Sequence, residues 1–328
     1  GKDGHIVNWA GNLKSRFNPY QFTLSNNGNS MVRDRFSGMV TISGKITDYL
    51  KLTGRVGIDR ISDDTQSYTL YHNIATTPSN LIRISSTTSE ELNADLMLNF
   101  DKSFKDFSLT ANLGIATYYN KFKSLSGASG VAIIPNFLAL SNGQTKLATQ
   151  DFYSKRVNSV LGNATLGYKG YAYLDVTARN DWSSALPSTN WSYFYPSASL
   201  SGIISEIFNM PNDYFLKIRG SIAQVGNDTN PYALYNVYTL STIGDHTAGQ
   251  TSGTLPLSDL KPEKTTSWEV GFDYRMFGNR LGIDFTYYKS TTSNQILSIT
   301  VPGSSGYTSK KINSGKMVSK GVESLLGT

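Results

Sequence analysis

The stretch TTSWEVGFDYRMFGNRLGIDFTYY, Thr265–Tyr288, decides the fold. Trp268, Val270, Phe272, Tyr274 and Met276 fall on one face of it, and Ser267, Glu269, Gly271, Asp273 and Arg275 on the other. A side-chain period of two belongs to a β-strand. Gly278-Asn279 then breaks the pattern, and a pair of turn formers between two alternating runs reads as a tight hairpin. Beyond it Leu281, Ile283, Phe285 and Tyr287 oppose Gly282, Asp284 and Thr286. One face is apolar and aromatic; the other carries charges of both signs.

The same design repeats along the chain. Val40, Ile42 and Ile46 lead through Thr47-Asp48-Tyr49 to Leu50, Leu52, Val56 and Ile58. Leu92, Ala94, Leu96, Leu98 and Phe100 lead through Lys105-Asp106 to Phe107, Leu109, Ala111, Leu113 and Ile115. A third pair turns at Lys169-Gly170, and a fourth runs from Phe194 across Glu206–Asp213 to Ile222. A last strand starts near Val318. Between the pairs lie polar stretches read as long loops: Ile61–Ser89, Lys121–Gln150, Ser183–Trp191, Gly226–Lys264 and Thr291–Lys316, the last with a short apolar piece at Ile296–Val301. Gly1–Asn29 is read as loop as well.

This gives about eleven strands of roughly 9–12 residues, a length that suits tilted membrane-spanning strands. Short turns alternate with long loops, which a sandwich does not require and an outer-membrane barrel does. One face of strand after strand lacks charge, and a charge facing lipid at mid-depth costs roughly 2–4 kcal/mol. The expected fold is therefore all-β, an antiparallel transmembrane β-barrel. An open sheet leaves unpaired edges that hydrocarbon cannot satisfy, so either the chain is a segment of a larger barrel or further strands lie within Gly1–Arg35 or the loops. The polar N-terminus, GKDGHIVNWAGN, lacks a signal-peptide core, which fits either a cytosolic protein or a start that lies elsewhere.

Composition agrees. Charged residues are 16% of the chain, below the roughly 25% usual for soluble domains. Twenty tyrosines suit a membrane interface. There is no cysteine, so neither disulfides nor thiolate metal sites arise. The net charge of +6 is scattered, and no nucleic-acid stripe is expected. His5, His72 and His246 lie far apart, whereas a metal site needs clustered ligands. Asp63-Asp64 and Asn227-Asp228-Thr229-Asn230 lack calcium-loop spacing and read as polar turns. No nucleophile elbow, phosphate loop or zinc motif occurs. Glu269 and Asp273, sharing a face with Arg275, read as charged wall before glycosidase pair, and no enzyme or cofactor is expected.

Several stretches carry a family resemblance: Asn180-Asp181-Trp182-Ser183-Ser184, Tyr193-Phe194-Tyr195-Pro196-Ser197, and Leu260-Lys261-Pro262-Glu263-Lys264-Thr265-Thr266-Ser267-Trp268-Glu269. Ser305-Gly306-Tyr307-Thr308, Ile312-Asn313-Ser314-Gly315 and Gly321-Val322-Glu323 follow in order. Together these resemble the signatures of the SusC/RagA family of TonB-linked outer-membrane proteins, from about Asn18 to Glu323. The resemblance implies a 22-stranded barrel with a plugged lumen. It also implies a SusD-like surface lipoprotein as partner, energy from TonB, and import of oligosaccharides or peptides across the outer membrane of a Gram-negative bacterium. The chain departs from the pattern. Residues 1–328 read as a partial barrel domain without the plug, with Ser319 where the family usually has Asn. The end Ser324-Leu325-Leu326-Gly327-Thr328 reads as less than a full strand, because the leucine pair breaks the alternation.

Within that frame Lys51, Arg55, Asp95, Asp175, Arg179, Lys217, Arg219, Glu269, Asp273, Arg275 and Asp284 are expected to face the lumen or plug. Aromatics suit sugar or peptide contacts: Trp191, Tyr193, Tyr232 and Tyr235 first, then Trp9, Tyr20, Tyr68, Tyr71 and Tyr238. Two other classes stand beside the importer: a surface-exposed β-protein for binding or adhesion, and a glycan-degrading enzyme resting on Glu269 and Asp273.

Overall fold

The computed structural model describes residues 28–69, 81–134, 137–243 and 246–327. The strands, in chain order, are β1 (Gly28–Thr47), β2 (Leu50–Thr69), β3 (Leu81–Phe104), β4 (Phe107–Ser129), β5 (Lys146–Tyr168), β6 (Ala172–Ser183), β7 (Ser192–Ile203) and β8 (Phe215–Asn227). Then come β9 (Tyr238–Ile243), β10 (His246–Thr251), β11 (Thr254–Leu255), β12 (Glu263–Met276), β13 (Leu281–Ser293), β14 (Ile296–Thr300), β15 (Ser309–Asn313) and β16 (Lys316–Gly327). One helical turn, α1 (Ile204–Ile207), sits between β7 and β8. Eleven strands form one sheet in the order β1-β2-β3-β4-β5-β6-β7-β8-β12-β13-β16; β9 and β10 pair apart, as do β11, β15 and β14.

The hairpin read first is present, and Met276 pairs with Leu281. Its turn is wider than Gly278-Asn279 alone. Phe277 (φ 57°), Gly278 (φ 63°) and Asn279 (φ 68°) all take left-handed backbone before Arg280. The Lys169-Gly170 turn behaves as read, with φ of 49° and 76°.

Three expectations are corrected. The first five strands run 20 to 24 residues, not 9–12, and take in much of the stretches read as loop between Ile61 and Gln150. Their ends are polar on both faces and rich in Thr and Ser, so no period of two marks them, yet a paired ladder needs none. Second, the Gly226–Lys264 and Thr291–Lys316 stretches hold β9–β11, β14 and β15. Third, β16 runs through Leu325-Leu326, with Leu325 opposite Asp284 and Leu326 opposite Ile283. Twelve residues of β13 pair with β16 and offer a template that overrides the broken alternation. Gly1–Asn27, His72 and Tyr71 lie outside the described residues.

The chain forms two compact units: Gly1–Gly38 with Gly57–Leu92 and Asn120–Ser154, and Met39–Val56 with Asn93–Tyr119 and Lys155–Thr328. In the first, polar side chains fasten the strands. Arg33 and Arg35 hold Asp63 and Asp59 in two-toothed ion pairs at 2.6 Å. Buried Asn142 ties its loop through Ile134 N (2.8 Å), Ile134 O (2.8 Å) and Phe137 O (2.7 Å).

In the second unit the faces are sorted by register. Directly opposite residues share a face, so Leu174, Leu200, Gly220, Val270, Tyr287 and Val322 form one apolar row. Gly202, Ile218, Phe272 and Phe285 form the next. These rows are open: Leu200 is 62% exposed, Val270 50% and Ile218 49%. A sandwich would cover them with a second sheet. Among the described residues the buried apolar side chains are only Ile82, Val157, Ala185, Leu186 and Leu260. The core of this sheet is its outside.

The polar face and candidate lumen site

The opposite face is built from small hydroxyls, amides and matched charges. Thr53, Asn99, Asn112 and Asn163 form a relay across β2 to β5 at 2.8, 2.6 and 3.3 Å. Asn163 lies opposite Thr177, which bonds Ser197 at 2.6 Å. A second row runs Asp175, Ser199, Ser221, Glu269 and Tyr288 across β6, β7, β8, β12 and β13. Asp175 accepts from Thr165 (2.5 Å) and Ser199 (3.3 Å).

Asp273 stands directly opposite Asp284. Like charges so placed destabilise a sheet, and each carboxylate has its own guanidinium. Arg275 holds Asp273 at 3.2 and 2.8 Å. Arg219 reaches over β12 to Asp284 at 2.7 and 3.0 Å and to Thr286 at 2.7 Å. Its path crosses Gly271, where a Cβ would lie 2.6 Å from the Phe285 carbonyl oxygen and 3.2 Å from Arg219 Nε. Beside this, a polar hollow of about 220 Å³ is lined by Asp175, Ser199, Lys217, Arg219, Ser221 and Glu269. Thus Asp175, Glu269, Asp273, Arg275 and Asp284 share one wall, and Arg179 stands on the same face opposite Tyr195. Of Glu269 and Asp273, Asp273 is held by Arg275.

A denser cluster caps the long-loop end of β6. Asp181, 5% exposed, accepts from Arg179 Nε (2.7 Å) and from the Tyr195 hydroxyl. Arg179 also donates to buried Ser159 (3.0 Å). Ser183, fully buried, donates to Asp228, which also takes Lys155 Nζ at 2.5 Å. Tyr193 stacks on Tyr195 at 5.9 Å and covers Gly226. Asn190 donates to the carbonyls of Asp259 (3.0 Å) and buried Leu260 (3.4 Å). Asn313 accepts from Lys261 N (2.7 Å) and donates to its carbonyl (2.8 Å). Stretches far apart in sequence meet here as one joint, and Asp181, Ser183, Tyr195, Leu260, Lys261 and Asn313 in it come from stretches that carry the family resemblance. Sequence reasoning missed Asp228 and Lys155, whose link spans 73 positions.

Of the aromatics, Tyr193 enters this joint. Trp191 is half exposed, and its carbonyl accepts from Ser183 N at 2.9 Å. Tyr232 and Tyr235 occupy an exposed turn after β8. Tyr68 and Tyr238 lie in strands β2 and β9; Trp9, Tyr20 and Tyr71 are outside the described residues. Among the described residues no cluster of metal-ligating side chains occurs.

An antiparallel sheet with one open apolar face, one hydrogen-bonded polar face, and short turns alternating with long loops is outer-membrane β-barrel wall. The chain belongs to the TonB dependent receptor-like, β-barrel family, whose model matches residues 3–326. It is 29% identical over 200 residues to TonB-dependent receptor P26 of Formosa agariphila, covering 59% of this chain and 20% of that protein. The chain thus spans about a fifth of the length of the curated relatives it matches. Its fold is similar to the RagAB peptide transporter, with TM-score 0.81, 22% identity, and 95% of this chain and 36% of that one covered. It is also similar to the RagAB peptide importer in the 'closed-closed' state, with TM-score 0.83, 22% identity, and coverage of 95% and 35%.

Proposed function

We propose that this chain is part of the barrel wall of a TonB-dependent importer of oligosaccharides or peptides. The observation that carries the reading is the sorting of faces. The apolar rows stay open on one face, while Asp175, Arg179, Glu269, Asp273, Arg275 and Asp284 gather on the other, which on this reading faces the lumen. Most of that wall's guanidinium groups are matched to carboxylates, so it offers many modest hydrogen bonds in place of a few strong charges. Multi-site, weak holding is what passage through a pore requires. Trp191, Tyr193, Tyr232 and Tyr235 lie at the long-loop end, where a substrate would first meet the protein. A SusD-like surface lipoprotein would deliver it there, and TonB would supply energy through other parts of the full-length protein.

The test is uptake in the source bacterium. Deleting the full-length gene is expected to abolish uptake of either labelled oligosaccharides or labelled peptides, and removing TonB is expected to do the same. Unchanged uptake of both classes after deletion sinks the proposal.

A further inference from the structure

The tight-turn rim carries a feature that neither transport nor the wall explains. On β3 the apolar row Leu92, Ala94, Leu96, Leu98 and Phe100 continues with a lysine, Lys102, before Phe104. Its ammonium sits 4.5 Å from the Tyr49 ring and 5.2 Å from the Phe104 ring. The next hairpin turn lies against this one, since Lys169 N donates to the Asp106 carbonyl at 2.6 Å. Lys169 Nζ is 5.5 Å from the Tyr168 ring and 3.9 Å from Asp106. Tyr168 packs on Phe107 (4.8 Å) and edge-on to Tyr171 (5.5 Å). Lys105, in the same turn, is exposed with φ of 51°. Among the described residues neither Lys102 nor Lys105 has an ion-pair partner.

From this juxtaposition we infer that the rim formed by the β3–β4 and β5–β6 turns binds the phosphate of an anionic phospholipid. A lysine whose stem lies along apolar surface keeps its ammonium at the interface. Rings at headgroup depth fix that level. Compact ammonium groups take a phosphate as point charges, and basic positions beside a spanning segment attract anionic lipid. The acyl chains continue onto the rows below, where Leu98, Leu113 and Leu166 are open. Asp106 engages only Lys169, so Lys102 and Lys105 remain for the headgroup. The inference rests on the barrel reading, which puts this rim at the inner leaflet.

The full-length protein is incorporated into nanodiscs of equal phosphatidylcholine and phosphatidylglycerol. Lipid that stays bound through mild detergent exchange is counted by mass spectrometry. The unaltered protein is expected to retain phosphatidylglycerol in excess. Lys102→Gln and Lys105→Gln should each lower that excess about fivefold, while Lys102→Arg and Lys105→Arg keep it, with heat-modifiable gel mobility confirming folded barrels. Equal retention of the two lipids, or full excess in the double glutamine variant, overturns the site and leaves the barrel standing. Stripping of the lipid by inorganic phosphate would assign the lysines to free phosphate and overturn it too. A protein that never enters the discs overturns the barrel reading and the site with it.

Discussion

Asp228 shows how much a single side chain carries. It follows β8, is nearly buried, and accepts from both Lys155 and Ser183. Removing one partner of a buried pair leaves the other charge uncompensated, at about 3–5 kcal/mol. Asp228→Ala should therefore cost that order of stability in urea titrations of the full-length protein folded in bilayers. Asp228→Asn, which keeps an acceptor, should cost less. Equal stability of the alanine variant and the parent would refute the joint. Read alone, Asn227-Asp228-Thr229-Asn230 is a polar turn; in the structure Asn227 ends β8 and the turn itself follows at residues 231–234. Its partner lies far off in β5, and no local pattern couples a lysine to an aspartate at that separation. The sequence signatures around Asp181, Tyr193 and Lys261 mark where such a joint is, without saying which atoms meet.

Strands were legible wherever one face met lipid and the other water. The hairpin about Gly278, the Lys169-Gly170 turn and the eleven-strand count all follow from that alternation. Legibility ended where both faces are wet. Arg33, Arg35, Asp59 and Asp63 belong to the far ends of long paired strands, beyond the alternating stretches first read there, so β1 and β2 outrun their pattern. The wall residues were legible as a face, but their pairing was not. Nothing in the sequence shows that Arg219 passes over β12 to reach Asp284. That crossing gives the bare position at Gly271 its reason. Gly271→Val should push the Phe285 carbonyl and Arg219 aside, costing about 1–3 kcal/mol by overpacking. Gly282→Ala, whose added carbon would meet only Arg275 Cγ at 3.9 Å, should cost little. Thermal unfolding of the two variants checks the contrast; equal losses would mean that the crossing does not constrain β12.

At the scale of the whole sheet, everything turns on what covers the apolar rows. Val270 and Leu200 are at least half exposed and lie in one cross-strand row, far from the polar joint. If water bathed them, a lysine there would change stability by less than about 0.5 kcal/mol, as surface substitutions usually do. If lipid bathes them, the same lysine must enter hydrocarbon, at roughly 2–4 kcal/mol near mid-depth and less toward either interface. The two environments therefore predict different outcomes for one substitution. Val270→Lys and Leu200→Lys should each reduce the folded fraction of the full-length protein in bilayers, and lower its level in outer-membrane fractions. Ser221→Lys, on the opposite face of the neighbouring strand, meets the aqueous side and the carboxylate of Glu269, so it should be tolerated. A Val270→Lys protein that folds and accumulates like its parent would show that the open face is not a lipid face. The sorting of residues would then need a protein partner to explain it.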